Sequence, residues 1–223
     1  MRARPVITID GPSGAGKTTV SKRLAERTGM VRLDTGAMYR ACALAARRAG
    51  IQWSDARRLG ELAREMVLSF RDAAGSPGIF LAGEDVTEAI RTPEMSLGAS
   101  EVSAHPPVRE ALVAKQREMG RDGGVVLEGR DTGSVVFPDA EAKFFLDAAA
   151  AVRALRRYRE LGTGKGQTFE QVLKDVLRRD VQDSTRDHSP LKMAEGAVYI
   201  DSTTRTVEEI VEIMLRRVPE GRG

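Results

Sequence analysis

Short apolar runs recur along the chain at residues 6–9, 125–127, 143–146 and 198–200, and each meets a polar or glycine-rich turn that leads into a pattern of helical period. Alternation of strand and helix implies a parallel sheet. A weaker strand signal, "MVRLD" at 30–34, lies between a helix ending at Gly29 and another opening near Gly36. With a helix after every strand, right-handed crossovers cover both sheet faces and set the strand ends in a row, where ligands of open α/β sheets bind.

Two regions break the alternation. Residues 67–92, "VLSFRDAAGSPGIFLAGEDVTEAIRT", mix strand-like runs with Gly, Pro and Asp turns and predict a small antiparallel insert. Residues 152–187 form two arginine-rich helical patterns joined by "GTGKGQT". By charge alone that pair reads equally as a solvated helical hairpin.

Composition narrows the function classes. A hydrophobic fraction of 41% in 223 residues is enough for a real core, and a net charge of +3 with no long one-sign run gives no footprint of a nucleic-acid or membrane binder. The apolar run of "MRARPVITID" is too short for a signal peptide, and no stretch reaches membrane-spanning length, so a soluble cytoplasmic protein is expected. The one cysteine, Cys42, lies in "RACALAARRAG" and reads as a small buried residue. His105 and His188 have no second ligand at metal spacing, which argues against a zinc site. No heptad seam appears, and a monomer is the default.

The chemistry begins at "DGPSGAGKTT". Gly11, Pro12, Ser13, Gly14, Ala15, Gly16, Lys17 and Thr18 satisfy G-x-x-x-x-G-K-[ST], between an apolar strand and an amphipathic helix. Glycines let backbone N–H groups converge on phosphate oxygens, the helix amino terminus adds a positive dipole end, and Lys17 supplies a charge at the β/γ-phosphates. Thr18 would present its hydroxyl to Mg²⁺, in part through water, and Thr19 extends the loop. A nucleoside triphosphate is the expected ligand.

Where its phosphate goes is a separate question. The N-K-x-D base-reading motif of a GTPase is absent, since the chain contains no asparagine, and "GVVLEG" matches a motor ATPase only partly, through Glu128. Transfer to a phosphate-bearing acceptor requires several cations. Arg40 after "LDTGAMY", Arg109 in "PPVREAL", Arg130 after "VVLEG", and Arg156, Arg157, Arg179 and Arg186 in the helix pair supply them next to glycines, aspartates and strand ends.

"ITIDGPSGAGKTT", "LDTGAMYRA", "VREALVAKQR", "EGRDTGSVVFPDAEAKFFLDA" and "IDSTTRTVEEIV" together resemble bacterial cytidylate kinases, a family of nucleoside monophosphate kinases, over nearly the whole chain. The resemblance implies an α/β P-loop NTPase fold: a five-stranded parallel sheet flanked by helices, a monophosphate-binding insert with a small antiparallel sheet, and a helical lid. It divides the chain into core (1–40), monophosphate lobe (41–110), core (111–151), lid (152–187) and core (188–223). It implies ATP as donor, Mg²⁺ as cofactor, and CMP or dCMP as acceptor. By matching position Thr35, Ser100, Arg109 and Asp131 face the cytosine, Arg40 and Arg130 the acceptor phosphate, and Arg179, Asp183 and Arg186 the ribose and phosphates. Tyr39 adjoins Arg40 and either lines the acceptor cleft or packs, as Trp53 does. Arg156 and Arg157 reach the transferring group, on a lid whose tip carries Gly162, Gly164 and Gly166. Asp131 following a strand also fits a helix N-cap. Another small-acceptor kinase, for UMP, AMP or shikimate, and a regulatory NTP-binding module are the alternative readings.

Overall fold

The computed structural model describes residues 2–73, 76–161, 168–186 and 189–219. Gly162, Gly164, Gly166 and His188 therefore lie outside the described residues. In chain order the elements are β1 (Val6–Asp10), α1 (Lys17–Thr28), β2 (Val31–Asp34), α2 (Thr35–Arg48) and α3 (Ala56–Glu65). There follow β3 (Leu68–Ala73), β4 (Ser76–Leu81), β5 (Glu84–Asp85), α4 (Pro93–Val102) and α5 (Pro106–Met119). The chain then forms β6 (Val125–Gly129), a π-helical turn at Thr132–Val136, β7 (Ala142–Asp147), α6 (Ala150–Leu161), α7 (Phe169–Thr185), β8 (Val198–Asp201) and α8 (Val207–Leu215).

The main sheet has five strands in the order β2-β6-β1-β7-β8. β1 is central, parallel to β6 from Val6↔Val125 to Asp10↔Gly129 and to β7 from Ile7↔Ala142 to Asp10↔Phe145. Both β1 and β6 are buried throughout, which is why apolar residues dominate them without alternating with exposed polar ones. The carboxyl ends of three neighbouring strands thus carry the glycine-rich loop, the "GRDTG" turn and the entry to α6. One expectation needs correcting. No α-helix follows β6; a five-residue π-helical turn takes its place.

Contacts within the chain define two compact units, one of Met1–Val31 with Asp122–Gly223, the other of Arg32–Arg121. The first is packed around Ile7, Ile9, Leu24, Phe144, Leu146 and Met214. The second has its own core, in which Met38, Leu59, Met95 and Leu112 of α2, α3, α4 and α5 pack with Ile90 from the segment before α4. It also holds the antiparallel sheet β3-β4-β5, paired from Leu68↔Leu81 through Phe70↔Ile79, as the insert pattern predicts. Cys42 belongs to this core, and burial pushes its thiol up to about 12. Trp53 packs its ring on Gly98, where a Cβ would lie 2.5 Å from it, and donates its indole N–H to Ala43 O.

Helix ends follow local chemistry. Asp34, Asp55 and Thr92 accept N–H bonds as caps of α2, α3 and α4, while α7 and α8 open on reciprocal Thr168/Gln171 and Thr206/Glu209 boxes.

Candidate active site

β1 delivers the chain to the loop at Asp10. Gly11 has φ 149° and faces the Leu146 carbonyl so closely that a Cβ would sit 1.9 Å from the oxygen; Gly14, at φ 78°, presses in the same way on the Arg153 carbonyl, at 2.8 Å. Only glycine fits either position. The loop runs through Ser13 and Ala15 to Gly16, the N-cap of α1, so the helix amino terminus and its dipole open directly from it. Lys17 is buried, and its Nζ donates to Gly11 O at 2.7 Å and Pro12 O at 2.6 Å. Burial, then repulsion from Arg130, holds the amine well below the usual lysine range, against the attraction of Glu128 and Asp10. Thr18 donates its hydroxyl to Glu128 Oε2 at 2.9 Å, and Thr19 is exposed on the first turn of α1.

α6 frames the loop from another side. The Arg156 guanidinium donates to Gly14 O at 3.4 Å, Ala15 O at 3.3 Å, Ser202 Oγ at 3.0 Å and Ser202 O at 2.6 Å. Arg157 instead points to the surface and pairs with Glu160 at 3.3 Å. Arg153, which the sequence reading passed over, is buried: it donates to Ala148 O and Ser13 O and makes a two-pronged pair with Asp180 of α7 at 3.0 and 2.7 Å.

After β6 the chain places Arg130 and Asp131. Arg130 Nε donates to Asp183 Oδ2 at 2.8 Å, and Arg179 Nε lies 3.9 Å from the same oxygen. Burial favours the neutral Asp183, but the charges of Arg130 and Arg179, the Arg130 hydrogen bond and the charge of Arg186 outweigh it and hold the carboxyl below its usual range. Arg186 also donates to Ser189 O at 2.6 Å. Asp131 is buried at the head of the π-helical turn, yet its side chain makes no capping hydrogen bond there. The capping falls to Asp10, whose Oδ1 accepts from Thr132 N and Thr132 Oγ1 and whose Oδ2 accepts from Gly133 N, all at 2.8 Å. Burial pushes Asp10 up, against those bonds from Gly133 and Thr132.

In the second unit, α2 carries Thr35, Tyr39 and Arg40 in its first turns. Asp34 caps that helix through Ala37 N at 2.8 Å and pairs with Arg40 at 3.0 Å. Burial would raise Asp34, but Arg40, Arg32, the Ala37 N–H and the Arg40 hydrogen bond together hold it below the usual carboxylate range. Arg109 on α5 is buried, with its guanidinium carbon 5.7 Å from the centre of the Tyr39 ring. Ser100 lies half-buried on α4 and accepts at its backbone oxygen from Ser103 Oγ at 2.9 Å. The first unit therefore contains the loop, Arg130, Asp131, Arg156, Arg179, Asp183 and Arg186, while the second contains Thr35, Tyr39, Arg40, Ser100 and Arg109, of which Tyr39 and Arg109 meet.

The family model for cytidylate kinase matches residues 7–220 of the chain. The chain belongs to the cytidylate kinase family. A cytidylate kinase from Geobacter sp. (strain M21) is 52% identical to it over 216 residues, covering 96% of this chain and 93% of the relative. One from Syntrophotalea carbinolica is 51% identical over 221 residues, covering 99% and 94%. Among solved structures, a gluconokinase from Sinorhizobium meliloti 1021 superposes with a TM-score of 0.50 at 18% identity, covering 97% of this chain and 92% of that one, a likeness of fold. Membership of this family agrees with the parallel sheet, the P-loop and the small antiparallel insert described above. Asp10, Asp34 and Arg153, which bond to the turn after Asp131, to Arg40 and to the loop, are neighbours of the candidate residues that motif reading missed. Only Asp34 left a local signal, as an acidic residue just before a helix.

Proposed function

We propose that this chain transfers the γ-phosphoryl group of ATP to CMP or dCMP, giving CDP or dCDP and ADP. The observation that carries the reading is the arginine cluster on one buried carboxylate: Asp183 holds Arg130 at 2.8 Å with Arg179 at 3.9 Å, in the unit that also contains the P-loop. The loop serves one triphosphate. Further guanidinium groups are what a second phosphate group needs beside it. Membership of the cytidylate kinase family supports the same chemistry.

In this reading ATP occupies Gly11, Pro12, Ser13, Gly14, Ala15, Gly16, Lys17, Thr18 and Thr19. Lys17 exchanges the carbonyls of Gly11 and Pro12 for the β/γ-phosphates, whose charge favours the protonated amine that burial opposes. The Thr18 hydroxyl and the Glu128 carboxylate beside it are hard oxygen donors of the kind Mg²⁺ selects. When bound, Mg²⁺ neutralises charge on the β- and γ-oxygens.

Thr35, Ser100, Arg109 and Asp131 read the cytosine. Its exocyclic N4 amine is a donor for the Asp131 carboxylate, and its N3 and O2 are acceptors for Arg109. Uracil has an oxygen where that amine stands and would leave Asp131 facing an acceptor. Arg40 and Arg130 hold the acceptor phosphate, with Tyr39 alongside, and Arg179, Asp183 and Arg186 hold ribose and phosphates. An ionised oxygen of the acceptor phosphate attacks the γ-phosphorus as the bond to the β-bridging oxygen breaks, so no general base is required. Arg156, on the α6–α7 lid and already against the loop, neutralises the transferring group, and Arg157 joins it by exchanging Glu160 for that group.

The test is ADP release with ATP and Mg²⁺ across CMP, dCMP, UMP, AMP, GMP and shikimate, beside a no-acceptor blank. Release that depends on CMP and dCMP, with UMP far behind, is expected. Release indifferent to every acceptor would overturn the reading.

A further inference from the structure

A residue that starts a helical turn after a strand ordinarily uses its own side chain to cap the first N–H groups of the turn, and aspartate is among the best at it. Asp131 occupies that position before Thr132–Val136 and does not do this. The two leading N–H groups, of Thr132 and Gly133, are taken instead by Asp10, 122 and 123 residues away in sequence, together with the Thr132 hydroxyl. Asp10 is 2% exposed, so its three bonds face no competition from water. The turn is tied down elsewhere as well. Val135 N and Val136 N donate to Asp131 O, and a Cβ on Gly133 would lie 2.7 Å from Thr8 Oγ1, so the backbone sits close against β1.

We propose that Asp10 is a positioning residue for base selection: by capping the Thr132–Val136 turn from β1, it relieves Asp131 of that task and fixes where the Arg130–Asp131 pair projects. The proposal rests on the reading of Asp131 as the carboxylate that meets the cytosine amine. It adds that discrimination of cytosine from uracil depends on a residue at the end of β1, whose carboxylate oxygens are engaged by Thr132 and Gly133.

The isosteric Asp10→Asn change tests it, because the amide keeps the volume but has one oxygen. Whichever way the amide turns, its NH₂ faces an N–H of Thr132 or Gly133, and one of the two donors is orphaned. Asp131 is then drawn back toward the turn as the ordinary cap. The ratio of kcat/KM for CMP over UMP is expected to fall at least tenfold, a change that the lost attraction between Asp10 and Lys17 cannot produce, because it bears on both acceptors alike. In Asp10→Asn/Asp131→Ala the ratio should stay within twofold of that of Asp131→Ala alone, since the second change removes a group already displaced. A merely structural role would lower Tm and overall activity and leave the CMP/UMP ratio unchanged, and that result overturns the proposal. So does a double variant whose ratio falls by the full product of the single losses.

If Asp10→Asn does not fold, Thr132→Val removes one of the three donors and leaves both backbone N–H groups in place. A smaller fall in the same ratio is then expected, and no fall overturns the proposal. The unmutated chain is the control for the underlying reading. Should it fail to prefer CMP over UMP, Asp131 is not a cytosine reader, and the proposal falls with that reading rather than through the variants.

Discussion

Lys17 is held in the folded chain by two carbonyl oxygens of its own loop, at 2.7 and 2.6 Å, in surroundings that disfavour its charge. Such a residue suits the proposed triphosphate, whose negative charge would favour the protonated amine. Lys17→Met keeps the aliphatic stem and removes the donor. It should lower kcat by about 10²-fold or more, the usual consequence of losing a transition-state donor, with an unchanged circular dichroism spectrum. Near-normal turnover would remove Lys17 from the mechanism. Asp183 offers a second test through pH. Its folded carboxyl lies below the unfolded value of about 3.9, so its stabilisation is complete above that value and is lost as pH falls through the depressed folded value. The stability difference between the native chain and Asp183→Asn should therefore be constant above about pH 5 and shrink toward lower pH in denaturant titrations. A difference that grew on acidification would mean that Asp183 is not held ionised by its arginines.

At the scale of elements, what was legible in the sequence was what is local. The P-loop glycines, lysine and threonine are contiguous, and β1 and β6 announce themselves because both faces are buried. β2 was a weaker signal for a physical reason: only Leu33 of its four residues is buried. The turn after β6 escaped because Asp10 stabilises its start from 122 residues away, and no local pattern encodes that bond. Arg153 escaped for the same reason. Its role is set by Asp180 on the next helix and by the Ser13 carbonyl, while its sequence setting "VRALRRYRE" marks several arginines alike. Because the Arg153 side chain is 7% exposed, removing its partner leaves a buried charge with, among the described residues, carbonyl oxygens and the more distant Asp147, 3.6 Å away. Asp180→Ala should destabilise the fold by about 3 kcal/mol, as broken buried pairs do. Glu61→Ala, which removes the exposed i,i+4 pair with Arg57, should cost no more than about 0.5 kcal/mol. Equal losses in chemical denaturation would show that Arg153 does not hold α7 to α6.

For the molecule as a whole, the two units differ in what they contribute. Every residue assigned to ATP lies in Met1–Val31 or Asp122–Gly223, whereas the hydrophobic cluster running from Ala37 to Leu112 lies wholly in Arg32–Arg121. A core of its own is the physical condition for folding alone. Residues 32–121 expressed as a fragment should thus show a cooperative thermal transition, and ATP with Mg²⁺ should leave that transition where it is. The whole chain should behave differently. With ATP at about 100 times its Kd, ligand linkage adds about 2.7 kcal/mol to the stability of the folded state that holds the nucleotide. Lys17→Met, with its donor removed, should gain markedly less at the same ATP concentration. Calorimetry on the three proteins separates the outcomes. A fragment that melts without cooperativity would mean that its core is insufficient by itself. A fragment that ATP stabilises as much as it does the whole chain would instead place a donor site outside the P-loop, and the assignment of Gly11 to Thr19 would have to be abandoned.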